Sequence, residues 1–127
     1  MKLQNEKKRN PFIYALKGWK QALKTEKNLK FDCIVAIIII VFGFILKISI
    51  SEWIVCILLI GLVIFAELMN TAIETVVDMY TTEKNKLAGK AKDISAGAVL
   101  VTAIIAAIIG CIIFIPKILM YKTLLGL

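Results

Sequence analysis

Residues 94–115 form a run of 22 positions without a charge, and no other feature narrows the fold as much. At ~1.5 Å rise per residue the run makes roughly 33 Å of helix, enough to cross a hydrocarbon core of about 30 Å. Two more segments behave alike. Residues 33–46 (CIVAIIIIVFGFIL) are uncharged and extend to Ile50 once Lys47 carries its ammonium to the interface on its apolar stem. Residues 53–66 (WIVCILLIGLVIFA) continue in apolar character through Val77 despite Glu67, Asn70 and Glu74. Isoleucine and valine suit strands in water, but an open sheet edge in lipid leaves backbone groups unpaired, whereas a helix pairs its own. With 60% hydrophobic residues and a mean hydropathy of +0.86, a water-soluble globule is excluded. The expectation is an all-α integral membrane protein, one domain over residues 1–127, with transmembrane helices at 33–50, 53–79 and 94–115. Pro116 is expected to close the third.

The 16 Lys and Arg outnumber the 9 Asp and Glu, and they are placed unevenly. Residues 1–32 hold nine cations and 80–93 hold four, against one in 47–52. The positive-inside rule therefore puts the N-terminus and the 80–93 connection in the cytoplasm, and the short turn and the C-terminus outside. Lys117 and Lys122 pull weakly the other way. Cations so placed point to a lipid bilayer as partner and to no nucleic acid. Ahead of the first span, residues 10–30 have helical period. At 100° per residue Phe12, Leu16, Trp19 and Leu23 fall within about 60° of one another, with Lys17, Lys20, Lys24 and Lys27 along an adjacent face. This predicts an amphipathic helix in the headgroup layer, or more simply a positive anchor. Glu26 falls about 40° from Phe12, on the apolar side, where a carboxylate is costly unless a cation meets it.

The second span is the informative one. Glu67, Asn70, Thr71, Glu74 and Asp78 stand at i, i+3, i+4, i+7 and i+11, a polar stripe about 100° wide on an apolar rod. An intramembrane carboxylate costs on the order of 2.5–3.5 kcal/mol, so two on one face mark a functional site. A polar packing seam with Asn70 and Thr71 bridging helices is the competing reading, but packing needs an amide or hydroxyl and not two ionisable acids. If Trp53 marks the outer interface, Glu67 lies about 21 Å along the helix, still in hydrocarbon, and Glu74 about 31 Å along, near the cytoplasmic headgroups. Glu67 is then a candidate general base within reach of a lipid hydroxyl. Glu26 and Glu74 make an oxygen pair for Mg²⁺, which binds one or two carboxylates plus substrate phosphates. Lys84, Lys86, Lys90 and Lys92 are open to phosphate contact or to a purely topological role. Histidine is absent, and Cys33, Cys56 and Cys111 lie in apolar runs without CxxC spacing, which removes the usual zinc sites. No GxxxxGK[ST] or kinase Gly-rich loop occurs, so any nucleotide binds without a P-loop.

AELMNTAIETVVD at 66–78, AKD at 91–93, SAGAVLV at 95–101 and ALKGWKQALKTEKN at 15–28 together resemble the small prokaryotic diacylglycerol kinase family. The likeness covers nearly the whole chain. It implies a three-span, homotrimeric membrane enzyme of the bacterial inner or plasma membrane that phosphorylates a membrane alcohol with ATP and Mg²⁺, its active sites shared between subunits. By position the resemblance makes Glu67 the catalytic base and lipid contact, Asn70 a supporting amide, and Glu74 and Glu26 the metal carboxylates, both also touching nucleotide. It adds Tyr14, Lys92, Asp93 and the pair Glu83 and Asn85 as nucleotide contacts. Asn85 stands where many relatives have His, Ala96 stands where one branch has Ser, and the family's arginine before the amphipathic helix corresponds to Arg9 or Lys7.

NTAIE, TEKN and GAVLV resemble the Gram-positive branch, whose usual substrate is undecaprenol. Diacylglycerol is the alternative, since either alcohol offers a primary hydroxyl and long apolar tails. A small proton-coupled transporter also carries an intramembrane Glu, but does not need Glu26, Asn70, Glu74, Lys92 and Asp93 together at the cytoplasmic side.

Overall fold

The computed structural model describes residues 10–127 and shows four helices: α1 (Pro11–Thr25), α2 (Lys27–Ile45), α3 (Ile50–Tyr80) and α4 (Lys86–Leu124). Arg9 and Lys7 lie outside the described residues. Among these residues there is no strand, and α2, α3 and α4 are each long and apolar enough to cross a membrane. Asn10 starts α1 by accepting the Phe12 amide at 3.1 Å, with Pro11 at the first helical position, where its missing N–H costs nothing.

The helix expected over 10–30 is broken. Glu26 has an extended backbone (φ −98°, ψ 112°) and serves two helices at once. Its N–H donates to the Ala22 carbonyl at 2.8 Å, and its own carbonyl accepts from Lys30 N at 3.3 Å. The Thr25 hydroxyl donates to Glu26 Oε1 at 3.1 Å, and Lys30 Nζ reaches the Lys24 carbonyl at 3.3 Å. Lys30 thus takes up a carbonyl that the end of α1 leaves unpaired, and the one-residue break occurs without Gly or Pro. Lys27 thus opens the helix of the first span, rather than belonging to α1.

Between α2 and α3 the chain turns in four residues. Lys47 takes a left-handed φ of 49°, the Lys47 N–H donates to the Phe44 carbonyl at 3.3 Å, and the Ile48 N–H donates to the Gly43 carbonyl at 3.1 Å. That is a Schellman ending, with lysine where glycine is usual. Ser49 and Glu52 then form a capping box: Ser49 N–H to Glu52 Oε2 at 2.7 Å and Glu52 N–H to Ser49 Oγ at 3.2 Å. Trp53 folds back over Gly43 and Phe44, its ring centroid 4.9 Å from that of Phe44. A Cβ on Gly43 would come within 2.6 Å of the indole. Ile48, Cys56, Ile113 and Phe114 form the buried cluster beneath this turn.

Pro116 does not close α4, which continues to Leu124 over 39 residues. Proline forfeits one backbone hydrogen bond, but the next residue supplies a reason to stay helical: Lys117 Nζ lies 3.1 Å from Glu52 Oε2 and pins α4 to the start of α3. At roughly 58 Å by ~1.5 Å per residue, α4 exceeds the hydrocarbon thickness and projects beyond it. The α3–α4 pair makes the most extensive contact and α1–α2 the least of the three adjacent pairs. Most large apolar side chains face outward, Phe44, Leu58 and Ile112 among them, as suits helices solvated by lipid or by other subunits.

Candidate active site

The polar stripe of α3 faces inward at its centre. Glu67 is 4% exposed, and Asn70 and Glu74 are half-buried. Because α2 begins at Lys27, its first turns lie against this part of α3. The Asn28 side chain lies near the Glu67 carboxyl, and Asp32, Glu26 and Glu74 stand within electrostatic reach of it. Glu26, from the junction of α1 and α2, is therefore brought near Glu67 and Glu74 of α3, with Asp32 of α2 as a fourth carboxyl.

One face of this cluster is built by α4. Asn70 Nδ2 donates to Glu74 Oε1 at 3.3 Å, and the Ser95 hydroxyl donates to Asn70 Oδ1 at 2.5 Å. One turn earlier, Lys92 Nζ pairs with Asp78 Oδ1 at 2.6 Å and also feels the Glu74 carboxylate. Beyond it, the loop from α3 to α4 borders a cleft of about 570 Å³ whose lining includes Asp78, Glu83, Lys84, Asn85, Lys86 and Lys92. Asn85 Oδ1 is committed to the helix, accepting Leu87 N at 2.9 Å and Ala88 N at 3.0 Å, so its amide nitrogen is the part left for a ligand. Glu83 and Asp93 are exposed. Tyr14 is exposed on α1, with the Lys17 ammonium 5.3 Å from its ring centroid.

The donor set suits a hard divalent cation. Among the described residues no three His, Cys, Asp or Glu are close enough to hold an ion alone, and the acids at Glu67 are oxygen donors in excess of nearby positive charge. Mg²⁺ fits such a place because it takes one or two carboxylates and completes its shell with phosphate oxygens and water.

The chain matches the family model described as prokaryotic diacylglycerol kinase over residues 13–114. It belongs to that family. The undecaprenol kinase of Bacillus subtilis is 44% identical over 106 residues, covering 84% of this chain and 86% of the relative. The diacylglycerol kinase of Haemophilus influenzae is 39% identical over 106 residues, 83% of this chain and 90% of its own length. That of Escherichia coli is 32% identical over 100 residues, 79% and 82% respectively. As a member of the prokaryotic diacylglycerol kinase family the protein is a membrane lipid kinase, which removes the transporter reading.

Four residues at the site escape sequence reasoning about roles. Asp78 was visible in the stripe, but its pairing with Lys92 depends on how α4 lies on α3. Asn28 and Asp32 become neighbours of Glu67 only through the break at Glu26. Ser95 carries one readable signal, a lone hydroxyl among small residues at the start of an apolar run.

Proposed function

We propose that the protein transfers the γ-phosphoryl group of Mg-ATP to the primary hydroxyl of undecaprenol, acting as a homotrimer in the bacterial plasma membrane. The observation that carries this reading is the buried Glu67 carboxyl, with Asp32, Glu26 and Glu74 within electrostatic reach, on the helix that leads to a lysine-lined cleft. Glu67 accepts the proton as the lipid oxygen bonds to the γ-phosphorus and the bond to the β–γ bridging oxygen breaks, leaving ADP. Asn70 orients Glu74. Glu26 and Glu74 hold Mg²⁺, which when bound offsets charge on the phosphate oxygens. Lys92, released from Asp78 or shared with it, contacts phosphate, and Tyr14, Glu83, Asn85 and Asp93 border the nucleotide. The work of these residues is positioning and charge compensation more than covalent chemistry.

The exposed Phe12, Leu16 and Trp19 of α1 suit a helix in the cytoplasmic headgroup layer, and the lysines of the N-terminal segment and of the 80–93 loop support a cytoplasmic N-terminus and nucleotide site with the C-terminus outside. Trimer formation is supported by the apolar groove of about 580 Å³ whose lining includes Ala103, Ala106, Ala107 and Gly110, small residues that allow close helix approach.

Diacylglycerol is the second reading, favoured by the names of the Haemophilus and Escherichia relatives. The deciding experiment assays purified protein in mixed micelles with Mg-ATP and either alcohol. A kcat/KM at least tenfold higher for undecaprenol supports the first reading, and the reverse order supports the second. No phosphorylation of either would overturn both.

A further inference from the structure

Among the described residues only two polar side chains are buried, Glu67 and Ser95. Glu67 has a role in the proposed reaction, whereas Ser95 has none. A hydroxyl 6% exposed needs an acceptor for its single proton, and of the two oxygens in reach the nearer, on α3, takes it. Its Oγ is 2.5 Å from Asn70 Oδ1 on α3 and 3.0 Å from the Lys92 carbonyl on its own helix.

The consequence lies in the Asn70 amide, whose two ends differ chemically. The end facing Glu74 must be Nδ2, because the Glu74 carboxylate only accepts, and the contact is 3.3 Å. Oδ1 then points to α4 and needs a donor, and Ser95 supplies it. Without that donor the amide is held at one end only and can rotate about its side-chain bonds. With it, Asn70 occupies Glu74 Oε1 and leaves Oε2 for a cation. With its one proton given to Asn70, the hydroxyl has none left for the Lys92 carbonyl, 3.0 Å away on its own helix. One buried hydroxyl therefore supports the amide that orients a carboxylate.

We propose that Ser95 is a positioning residue: by donating to Asn70 it fixes the orientation of the Glu74 carboxylate for Mg²⁺. This deepens the function proposed above and rests on its assignment of Glu74 as a metal carboxylate. Because Ser95 acts through Asn70, its removal is expected to change the metal requirement and not the alcohol KM.

The test uses the full chain in mixed micelles, titrating free Mg²⁺ at saturating ATP and lipid, with Ser95→Ala, Ser95→Cys and Ser95→Thr beside the unchanged protein and Glu74→Gln. Ser95→Ala and Ser95→Cys are expected to raise the Mg²⁺ concentration for half-maximal rate about tenfold, the usual size of effect for a group that orients a metal ligand. The KM for lipid stays within about twofold, and Ser95→Thr, which keeps the hydroxyl, restores the Mg²⁺ response. Thermal unfolding in the same micelles shows which variants are folded. Folded Ser95→Ala and Ser95→Cys proteins with an unchanged Mg²⁺ response, or a shift that Ser95→Thr fails to restore while folded, would overturn the inference. If Glu74→Gln shifts the Mg²⁺ response and Ser95→Ala does not, the inference alone falls; if neither does, the metal assignment falls with it.

Discussion

The two ends of the α3–α4 pair each carry an acid–lysine pair, and they are built on opposite principles. At the outer end Glu52 is fully employed: Ser49 N–H and Lys117 both reach its carboxylate, and its backbone amide is capped by Ser49 in return. At the inner end Lys92 meets Asp78, but Glu26, Asp32, Glu67 and Glu74 gather nearby with far less cationic compensation. A satisfied carboxylate holds helices together, whereas a surplus of carboxylates at a membrane edge has to be stabilised by something that arrives. Glu52 therefore belongs to the fold, and in the function proposed above the acids at the other end belong to the reaction.

Substitution at the two ends should separate activity from stability. The largest effect is expected from Glu67→Gln, which keeps the shape and removes the base: kcat should fall about 10³-fold, within the range for a lost general base, while Mg-ATP binding measured by calorimetry is retained. Equal loss of nucleotide binding would show that Glu67 is a ligand and not a base. Next come Glu74→Gln and Glu26→Gln, each expected to raise the Mg²⁺ requirement about tenfold or more with a smaller effect on lipid KM. At the outer end Gly43→Ala should leave the Mg²⁺ response unchanged and destabilise the fold by about 1–3 kcal/mol, because the new methyl displaces Trp53 from the α2–α3 turn. An altered Mg²⁺ response in Gly43→Ala would contradict the division between the two ends.

How far this division could be read from the chain alone depended on distance along it. The spans follow from uncharged length, and the acidic face of α3 follows from helical period, so Glu67, Asn70 and Glu74 were legible within one element. Glu26 stands out as an acid on an apolar face, but the reason it reaches α3 is not legible: TEKN contains no breaker, and the break shows only once Lys30 of the next helix is seen to cap the Lys24 carbonyl. Pro116 misled for a related cause. Its local rule ends a helix, and a contact between residues 65 positions apart in the chain, Lys117 with Glu52, together with the apolar run before it, keeps α4 going. Ser95, Asn28 and Asp32 acquire neighbours only when helices are packed, which spacing within one helix does not encode.

The smallest expected effect has the opposite sign. Lys47 sits at a left-handed φ of 49° in the turn that joins α2 to α3. That region costs an L side chain roughly 1–2 kcal/mol, and glycine avoids the Cβ clash but loses more backbone freedom on folding, so the two terms partly cancel. Lys47→Gly is expected to stabilise the protein by about 0.5–1 kcal/mol, read as a higher unfolding midpoint in micelles, with kcat and the Mg²⁺ response unchanged. The Schellman bonds to Phe44 and Gly43 use backbone atoms and survive the change. A lower midpoint would mean that the Lys47 side chain, anchored in the outer headgroup layer, contributes more than its backbone costs, and the outer turn would then owe its shape to the bilayer as well as to the chain.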